Sequence, residues 1–560
     1  MRVANSLSFA DVVATNKPAE GPVGVPPQAA DVAIVGGGPI GLLAANLLGL
    51  HNVKTVVIER NRLTSDQPKA VIMDDEFLRL IDRLGLYEAL QPHLTSVPFG
   101  IHFYSPLGFE LVKAEGFITP NGFANRNSVS QPMLEKILLQ NLQRFGGVTV
   151  CYRQSVKALS QTDDGVEIAV EDEGGQRRRI VAKYLFGCDG VHSFVRETLG
   201  IPFEGVRLNE PHLVIDFAEF PDQSPFSRFF CDPRRPFNSI LMPYGGRRIE
   251  FMLMGGDDRE AIKSFESIQR LVKQHTPYAD VELKVVRSAV YGYSARVAGQ
   301  LQKGRVFLLG DAAHVMPPFG SSGMNTGARD ANNLVWKIAM VLNGLAAESI
   351  LDSYDPERRP QIEAVVKYSV LVGRLANMRS WPLALIRDAF FAVANLFPRV
   401  RRYFRDMRYM PKPAIIRGLI MDRGDDASLV GRMFPRLTLS HDAGKADFDT
   451  LCGSGFSLIG VDVGDETLAK IAALSPWSGL KPGLVSVRLD GAPLASGLCI
   501  EDERQRAMLA PHRGEIAILR PDRYTAAIAP AQDILDRADV YGRKLGLLSG
   551  ELTTAGRAPR

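Results

Sequence analysis

Three glycines and one acid, Gly36, Gly38, Gly41 and Glu59, carry the spacing of a nucleotide cradle. Asp31 to Val35 is a short apolar run suited to a buried parallel strand, and the Ala/Leu-rich stretch Leu42 to Leu50 reads as a helix behind it. In that setting Gly36 permits the tight turn, Gly38 lets the backbone approach a pyrophosphate, and Gly41 lets helix pack on strand. Amides at the helix start then face the phosphates. A second apolar strand, Thr55 to Ile58, ends at Glu59, 18 residues after Gly41, where a carboxylate accepts hydrogen bonds from an adenosine ribose. The chemistry is dinucleotide binding, with FAD and NAD both open.

Two later acids follow the same logic. Lys183 to Arg196 is a strand running into an Asp189-Gly190 turn and a helix start, where Asp189 or Ser193 could simply cap the helix. Arg305 to Leu309 is another buried strand, ending at Gly310-Asp311 and followed by a glycine-rich turn and a long helix from about Met324. An acid at the carboxyl end of such a strand suits the hydroxyls of a ribitol chain. The amides at the next helix start suit a negatively charged flavin ring. Asp74 and Asp75 follow the apolar Val71 to Met73, close to Lys69. They could face a substrate, or Asp75 could merely begin a helix from Glu76 to Leu84.

The elements that position these residues need more than one core. At 560 residues the chain calls for two or three domains. Hydrophobic content of 46% with 23% charged residues describes an ordinary globular protein, and a net charge of +4 gives no reason to expect nucleic acid. The five cysteines form no CxxC pattern, which predicts free thiols, no metal site and a reducing, cytoplasmic setting. The segment Trp381 to Val400 is apolar but carries Arg387, Asp388 and Arg399, too polar to span a bilayer. No stable membrane association is expected.

Taken together, the GxGxxG, Asp189-Gly190 and Gly310-Asp311 segments resemble the three fingerprints of the single-component FAD-dependent aromatic hydroxylases, over roughly residues 30 to 410. The stretch from Gly310 to Ala339 is the most specific of them. Cys231 to Pro236, Arg247 to Met252, Asp74 to Glu76 and Leu519 to Tyr524 resemble the branch that acts on 3-(3-hydroxyphenyl)propionate. The resemblance implies an α/β and α+β fold: a Rossmann-like FAD-binding domain interleaved with a sheet-containing substrate domain, the latter mainly in 95–125 and 205–300. It implies FAD as cofactor, NAD(P)H as co-substrate, and transfer of a hydroxyl from a flavin hydroperoxide to a phenol, ortho to its hydroxyl. No second GxGxxG is present, so NAD(P)H has no Rossmann domain of its own.

By position, the resemblance places Gly36, Gly38, Gly41 and Glu59 on the ADP half, Lys69 by a phosphate, Gln131 on the pyrophosphate or ribitol, Asp189 on the cofactor or NAD(P)H, and Asp311 on the ribitol. It places Pro318, Gly323, Met324 and Asn325 along the flavin ring and Arg248 beside it, with an exposed strand arginine as the alternative reading of Arg248. The family commonly has arginine where Lys69 stands, and lysine keeps the charge but loses the planar fork. Asp74, Asp75, Arg248 and Pro318 are the catalytic candidates. Tyr244, Tyr291 and Tyr293 could hydrogen-bond a phenol or only pack in a sheet. His314 reads as structural, and Arg234 and Arg235 are candidates for a substrate carboxylate, with a solvated face as the favoured reading of the pair.

The remaining expectations are a flexible arm over residues 1–28, FAD and substrate domains over 29–410, a linker at 411–430 and a thioredoxin-like α/β domain over 431–560. For that last domain a structural or oligomer-interface role is expected, with a homodimer as the candidate assembly. The competing readings are a hydroxylase of another phenol or polycyclic aromatic, and a flavin reductase or oxidase without oxygen insertion.

Overall fold

A computed structural model of the chain describes residues 18–65, 69–208, 210–279, 281–421, 428–441, 444–489 and 498–547. The nucleotide half is built on an eight-stranded sheet. Its parallel strands lie in the order Val306–Leu308, Arg177–Gly187, Ala29–Val35, Thr55–Ile58, Val148–Cys151. Parallel strands bury both faces, which is why these segments read as continuous apolar runs. The helix Pro39–Leu50 packs on them, with Pro39 in its first turn, where a missing N–H removes no helical bond. The long helix expected near Met324 spans Gly323–Leu342 and packs against Pro39–Leu50.

The substrate half is a seven-stranded sheet whose central strands are His212–Phe217, Arg247–Met252 and Phe237–Leu241. Strand alternation divides its residues. Leu213, Ile215, Phe217, Phe237, Ile249 and Phe251 form one core with Ile268, Leu271 and Val272 of the helix Phe265–His275. Asp216, Ile240, Arg248 and Glu250 belong to the opposite face, and register places Asp216 and Ile240 on either side of Arg248.

The C-terminal unit has its own seven-stranded sheet. The parallel strands Ser457–Val461 and Gly483–Arg488 flank the helix Asp465–Ala473 in sequence, and the antiparallel pair Glu515–Leu519 and Thr525–Pro530 follows. The turn of that pair, Leu519 to Tyr524, clasps the FAD half. Arg520 donates from both terminal nitrogens to Glu357 at 2.9 Å, and Glu357 also takes the Lys337 ammonium at 2.8 Å. Arg523 shares Asp449 with Arg79, and the Tyr524 hydroxyl donates to Glu76 at 2.9 Å.

Two expected loose segments are partly packed. Of the arm, residues 1–17 lie outside the described residues, but Glu20 bridges to Leu63, Val23 bridges to Cys151, and Gly21 sits on the Tyr152 ring. In the expected linker, residues 422–427 lie outside the described residues. Ile415, Ile420 and Val430 are buried against Tyr524, because the clasp gives their side chains an apolar surface. Among the described residues no helix is long and apolar enough to cross a membrane, and all five cysteines are unpaired.

Candidate active site

A cleft of about 980 Å³ is lined at one end by the glycine turn and at the other by the substrate sheet. The glycines differ as their jobs require. Gly36 has φ +110, and an added Cβ would lie 2.3 Å from the Cys188 carbonyl oxygen; at Gly41 it would lie 2.0 Å from that of Gly36. At Gly38 it would meet nothing within 4 Å, so that backbone faces open space in the cleft. Glu59, also on the wall, accepts from the Gly37 N–H at 2.7 Å and the Asn61 N–H at 2.8 Å. Two amides thus fix its carboxylate at the cleft edge.

Farther along, Lys69 and Gln131 both line the cleft, but Gln131 is occupied by protein. Its side-chain oxygen accepts from the Ala70 N–H at 2.8 Å and its amide donates to Glu135 at 2.9 Å. Gln131 therefore sets the Lys69–Ala70 turn. Glu135, one helical turn later and missed from the sequence, is buried on the same wall. Burial pushes its carboxyl up to about 7, against the downward pull of Gln131 and the Ser65 amide. The spacing of Gln131 and Glu135 by four residues on a helix was the available signal.

Asp311 opens onto the cleft, and its carboxylate makes no hydrogen bond or ion pair with the described residues. Protein crowding it from the other sides raises its pKa, while His314 and Lys69 draw it down. Its turn is fixed from behind. Asp330 accepts from the Gly310 N–H at 3.1 Å, pairs with His314 Nε2 at 2.8 Å and takes Arg358 Nε at 2.8 Å. His314 is fully buried there, away from the cleft. Asp189 reaches the wall, but its carboxylate accepts from the Ser193 hydroxyl at 2.6 Å and the Val195 N–H at 3.1 Å. Both capping residues weighed from the sequence act together, since Ser193 in turn accepts from the Arg196 N–H.

Pro318, Gly323 and Met324 line the far end. The helix they open has no side-chain cap at its start, so its first amides are left for an acceptor in the cleft. Asn325 does not line the cleft. It is buried, accepts from the Asp74 N–H at 3.1 Å and donates to the Ile72 and Ser321 carbonyls, tying the turn to its neighbour.

The catalytic candidates divide. Arg248 is buried on the cleft wall, gripping Asp216 through Nε at 2.7 Å and Nη2 at 3.1 Å, which excludes the exposed-strand reading. Burial works against its charge, and the Asp216 pair more than restores it. Asp74 and Asp75 turn away from the cleft. Asp74 caps the helix Asp75–Arg83 and pairs with Arg329. Asp75 accepts from Thr119 and Asn121, both at 2.7 Å. Burial and its acidic neighbours raise the Asp75 carboxyl to about 6. Arg234 and Arg235 are held by Asp232 and Asp257. Tyr244 contacts His93, and Tyr291 contacts Arg287.

Glu250 is the acid that sequence inspection passed over. It is 4% exposed, lines the cleft two residues from Arg248, and among the described residues its carboxylate accepts only one long hydrogen bond, from Asn238 at 3.4 Å. Burial raises its carboxyl and Arg248 lowers it again. Open space at Gly38, a free acid at Asp311 and an uncapped helix start beside Pro318 together fit FAD laid along the cleft.

Comparison with known proteins agrees. Residues 29–369 match a family described as FAD binding domain, and residues 431–543 match the HcaD C-terminal domain. A 3-(3-hydroxy-phenyl)propionate/3-hydroxycinnamic acid hydroxylase of Klebsiella pneumoniae is 35% identical over 538 residues, 94% of this chain and 96% of that protein. An Escherichia coli protein of the same name is 34% identical over 540 residues, 93% and 94% of the two chains. Among solved structures, the flavin-dependent monooxygenase PieE with FAD and substrate has a TM-score of 0.75 at 20% identity, covering 93% of this chain and 100% of that one. Aklavinone-11 hydroxylase with FAD and aklavinone has 0.74 at 23%, with coverage of 93% and 100%. At such identities these two structures speak to the fold alone. The chain belongs to the single-component FAD-dependent aromatic hydroxylases and is an FAD-dependent aromatic monooxygenase.

Proposed function

We propose that this enzyme hydroxylates 3-(3-hydroxyphenyl)propionate ortho to its hydroxyl, giving the 2,3-dihydroxy product. The phenol, O2, NAD(P)H and one proton yield the catechol, water and NAD(P)+. The observation that carries the reading is the continuity of the cleft: the cavity that holds Gly38, Glu59 and Asp311 continues under Ile240, Arg248 and Glu250. The relatives, named as hydroxylases of 3-(3-hydroxy-phenyl)propionate and 3-hydroxycinnamic acid, supply the substrate class.

Bound FAD supplies electron transfer from NAD(P)H and activation of oxygen. The chain supplies position, dryness and proton handling. Val71, Ile240 and Pro318 offer apolar walls to a flat ring and keep water from it. Arg248, immobilised by Asp216, presents a fixed positive charge. Glu250 takes the phenolic proton on a carboxylate oxygen, which leaves the ring as the more electron-rich phenolate. Asp74 and Asp75 keep the adjoining helix and loop in place.

The test follows NAD(P)H and O2 consumption by the FAD-loaded enzyme across a panel of phenols, with product mass measured. Stimulated NAD(P)H oxidation with gain of one oxygen atom is expected, strongest for the hydroxyphenylpropionate. NAD(P)H oxidation with no oxygen entering any phenol overturns the proposal in favour of a flavin reductase or oxidase.

A further inference from the structure

One buried arginine lacks the partner that such residues require. Arg126 is 5% exposed and immediately precedes the strand Asn127–Val129. Among the described residues it forms no ion pair. Its Nη1 donates to the Gly320 carbonyl and its Nη2 to the Ser321 hydroxyl, both at 3.4 Å, which is long for a charged donor. Its Nε–H is buried with no acceptor among the described residues. Asp74, which acts on it through space, is already bonded to Arg329. By contrast Arg79, Arg248, Arg358 and Arg520, equally buried, each hold a carboxylate. A cation enclosed without a counter-charge is costly, and an anion brought from outside relieves that cost.

The place is as informative as the vacancy in its bonding. Arg126 lies directly behind Ser321, whose own side of the turn lines the cleft next to Pro318. Gly320 and Ser321 both hold left-handed backbone, at φ +99 and +55. The Tyr368 ring packs on Gly320 so closely that a Cβ there would come within 2.7 Å. Tyr368 is paired with Tyr409, and both act on the arginine. Of the cations near the substrate end, Arg248 already grips Asp216 with two nitrogens.

We propose that Arg126, flanked by Tyr368 and Tyr409, receives the carboxylate of the substrate's side chain, so that the enzyme selects phenols bearing a short acidic arm. The proposal rests on the hydroxylase reading above. With the ring between the Arg248–Glu250 face and Pro318, the arm passes Ser321 and ends on the guanidinium. That planar donor fork matches a carboxylate in two parallel hydrogen bonds.

The experiment compares 3-(3-hydroxyphenyl)propionate with the alcohol in which CH2OH replaces its carboxylate, by kcat/KM for coupled hydroxylation and by perturbation of the flavin spectrum on binding. The unaltered holoenzyme is expected to prefer the acid by at least about 30-fold, the scale of one buried charged pair. Arg126→Met collapses that preference to within a few-fold, and Arg126→Lys, which keeps the charge but loses the fork, restores part of it. Equal use of acid and alcohol by the unaltered enzyme overturns the proposal. So does a preference that Arg126→Met leaves intact, or a loss that is the same for both compounds, which would mean that Arg126 only props the turn. Should Arg126→Met fail to retain FAD, the unaltered enzyme and Arg126→Lys decide. Absence of hydroxylation with every phenol strikes instead at the broader reading and takes this one with it.

Discussion

Glu357→Gln should loosen the C-terminal unit from the FAD half. Glu357 is 1% exposed and accepts five donors: both terminal nitrogens of Arg520, the Lys337 ammonium, the Asn333 amide and the Leu419 N–H. Burial alone would raise its pKa, but Arg520 and Lys337 hold it down to about 2 from 4.5. That drop corresponds to about 3 kcal/mol, in the range for breaking a buried ion pair from one side. Lys337 points the other way, lowered to about 8, because burial outweighs its share of a carboxylate that it divides with Arg520. The carboxylate is therefore the member to remove. A depressed acid pKa contributes stability above about pH 4.5 and loses it as pH falls toward 2. Urea unfolding can be followed through Trp336, whose ring lies 5.1 Å from the Arg520 guanidinium. At pH 7.5 the variant should lose about 3 kcal/mol. The difference from the unaltered protein should narrow below pH 4, and Glu357→Gln with Arg520→Gln should recover part of it. A loss below about 0.5 kcal/mol at pH 7.5, on the scale of an ordinary surface substitution, would refute the reasoning.

Gly36→Ala and Gly38→Ala separate two uses of glycine: the first forces a Cβ against the Cys188 carbonyl and should lower yield and melting temperature, whereas the second meets only open space. Gly38→Ala should therefore keep its melting temperature as apoprotein but bind FAD at least about tenfold more weakly by fluorescence titration, a cost of roughly 1.4 kcal/mol. Glu135→Gln tests the raised carboxyl at about 7. A raised acid pKa favours the fold below pH 4.5 and costs stability as pH climbs to 7, so the variant should gain up to about 3 kcal/mol over the unaltered apoprotein at pH 8 and nothing at pH 4.5. An amide has one acceptor oxygen where the carboxylate has two, so loss of the bond from either the Ser65 N–H or the Gln131 amide subtracts from that gain, and a gain independent of pH would count against the assignment. Glu250→Gln should lower kcat at least about 100-fold near neutral pH with recovery at alkaline pH, where the phenol ionises unaided; a loss that stays flat with pH would remove Glu250 from proton transfer.

What the sequence made legible was local. The strand, the three glycines and Glu59 lie within one short stretch, so their spacing could be read before any fold was known, even though the atom that Gly36 must clear belongs to distant Cys188. Asp311 was legible for the same reason. Glu250 and Asp216 were not, because their meaning comes from strand register: Asp216 lies opposite Arg248 although the two are 32 positions apart in the chain. Asp74 and Asp75 show the converse ambiguity, since a helix-capping aspartate and a substrate-facing one follow the same apolar run. Arg126 carried no pattern at all. It is conspicuous only through what three distant segments fail to offer it.

The clasp has a consequence for how the enzyme is born. Tyr524 bonds Glu76, Glu76 and Asp74 share Arg329, and the Asp74 amide bonds Asn325 beside the turn that lines the far end of the cleft. The first glycines leave the ribosome well before residues 519–524, at some 5–20 residues per second. The glycine turn can thus take shape on the nascent chain while the turn at Gly320 and Ser321 still lacks its last brace, so the cleft is completed only once the C-terminal unit has emerged and folded against it.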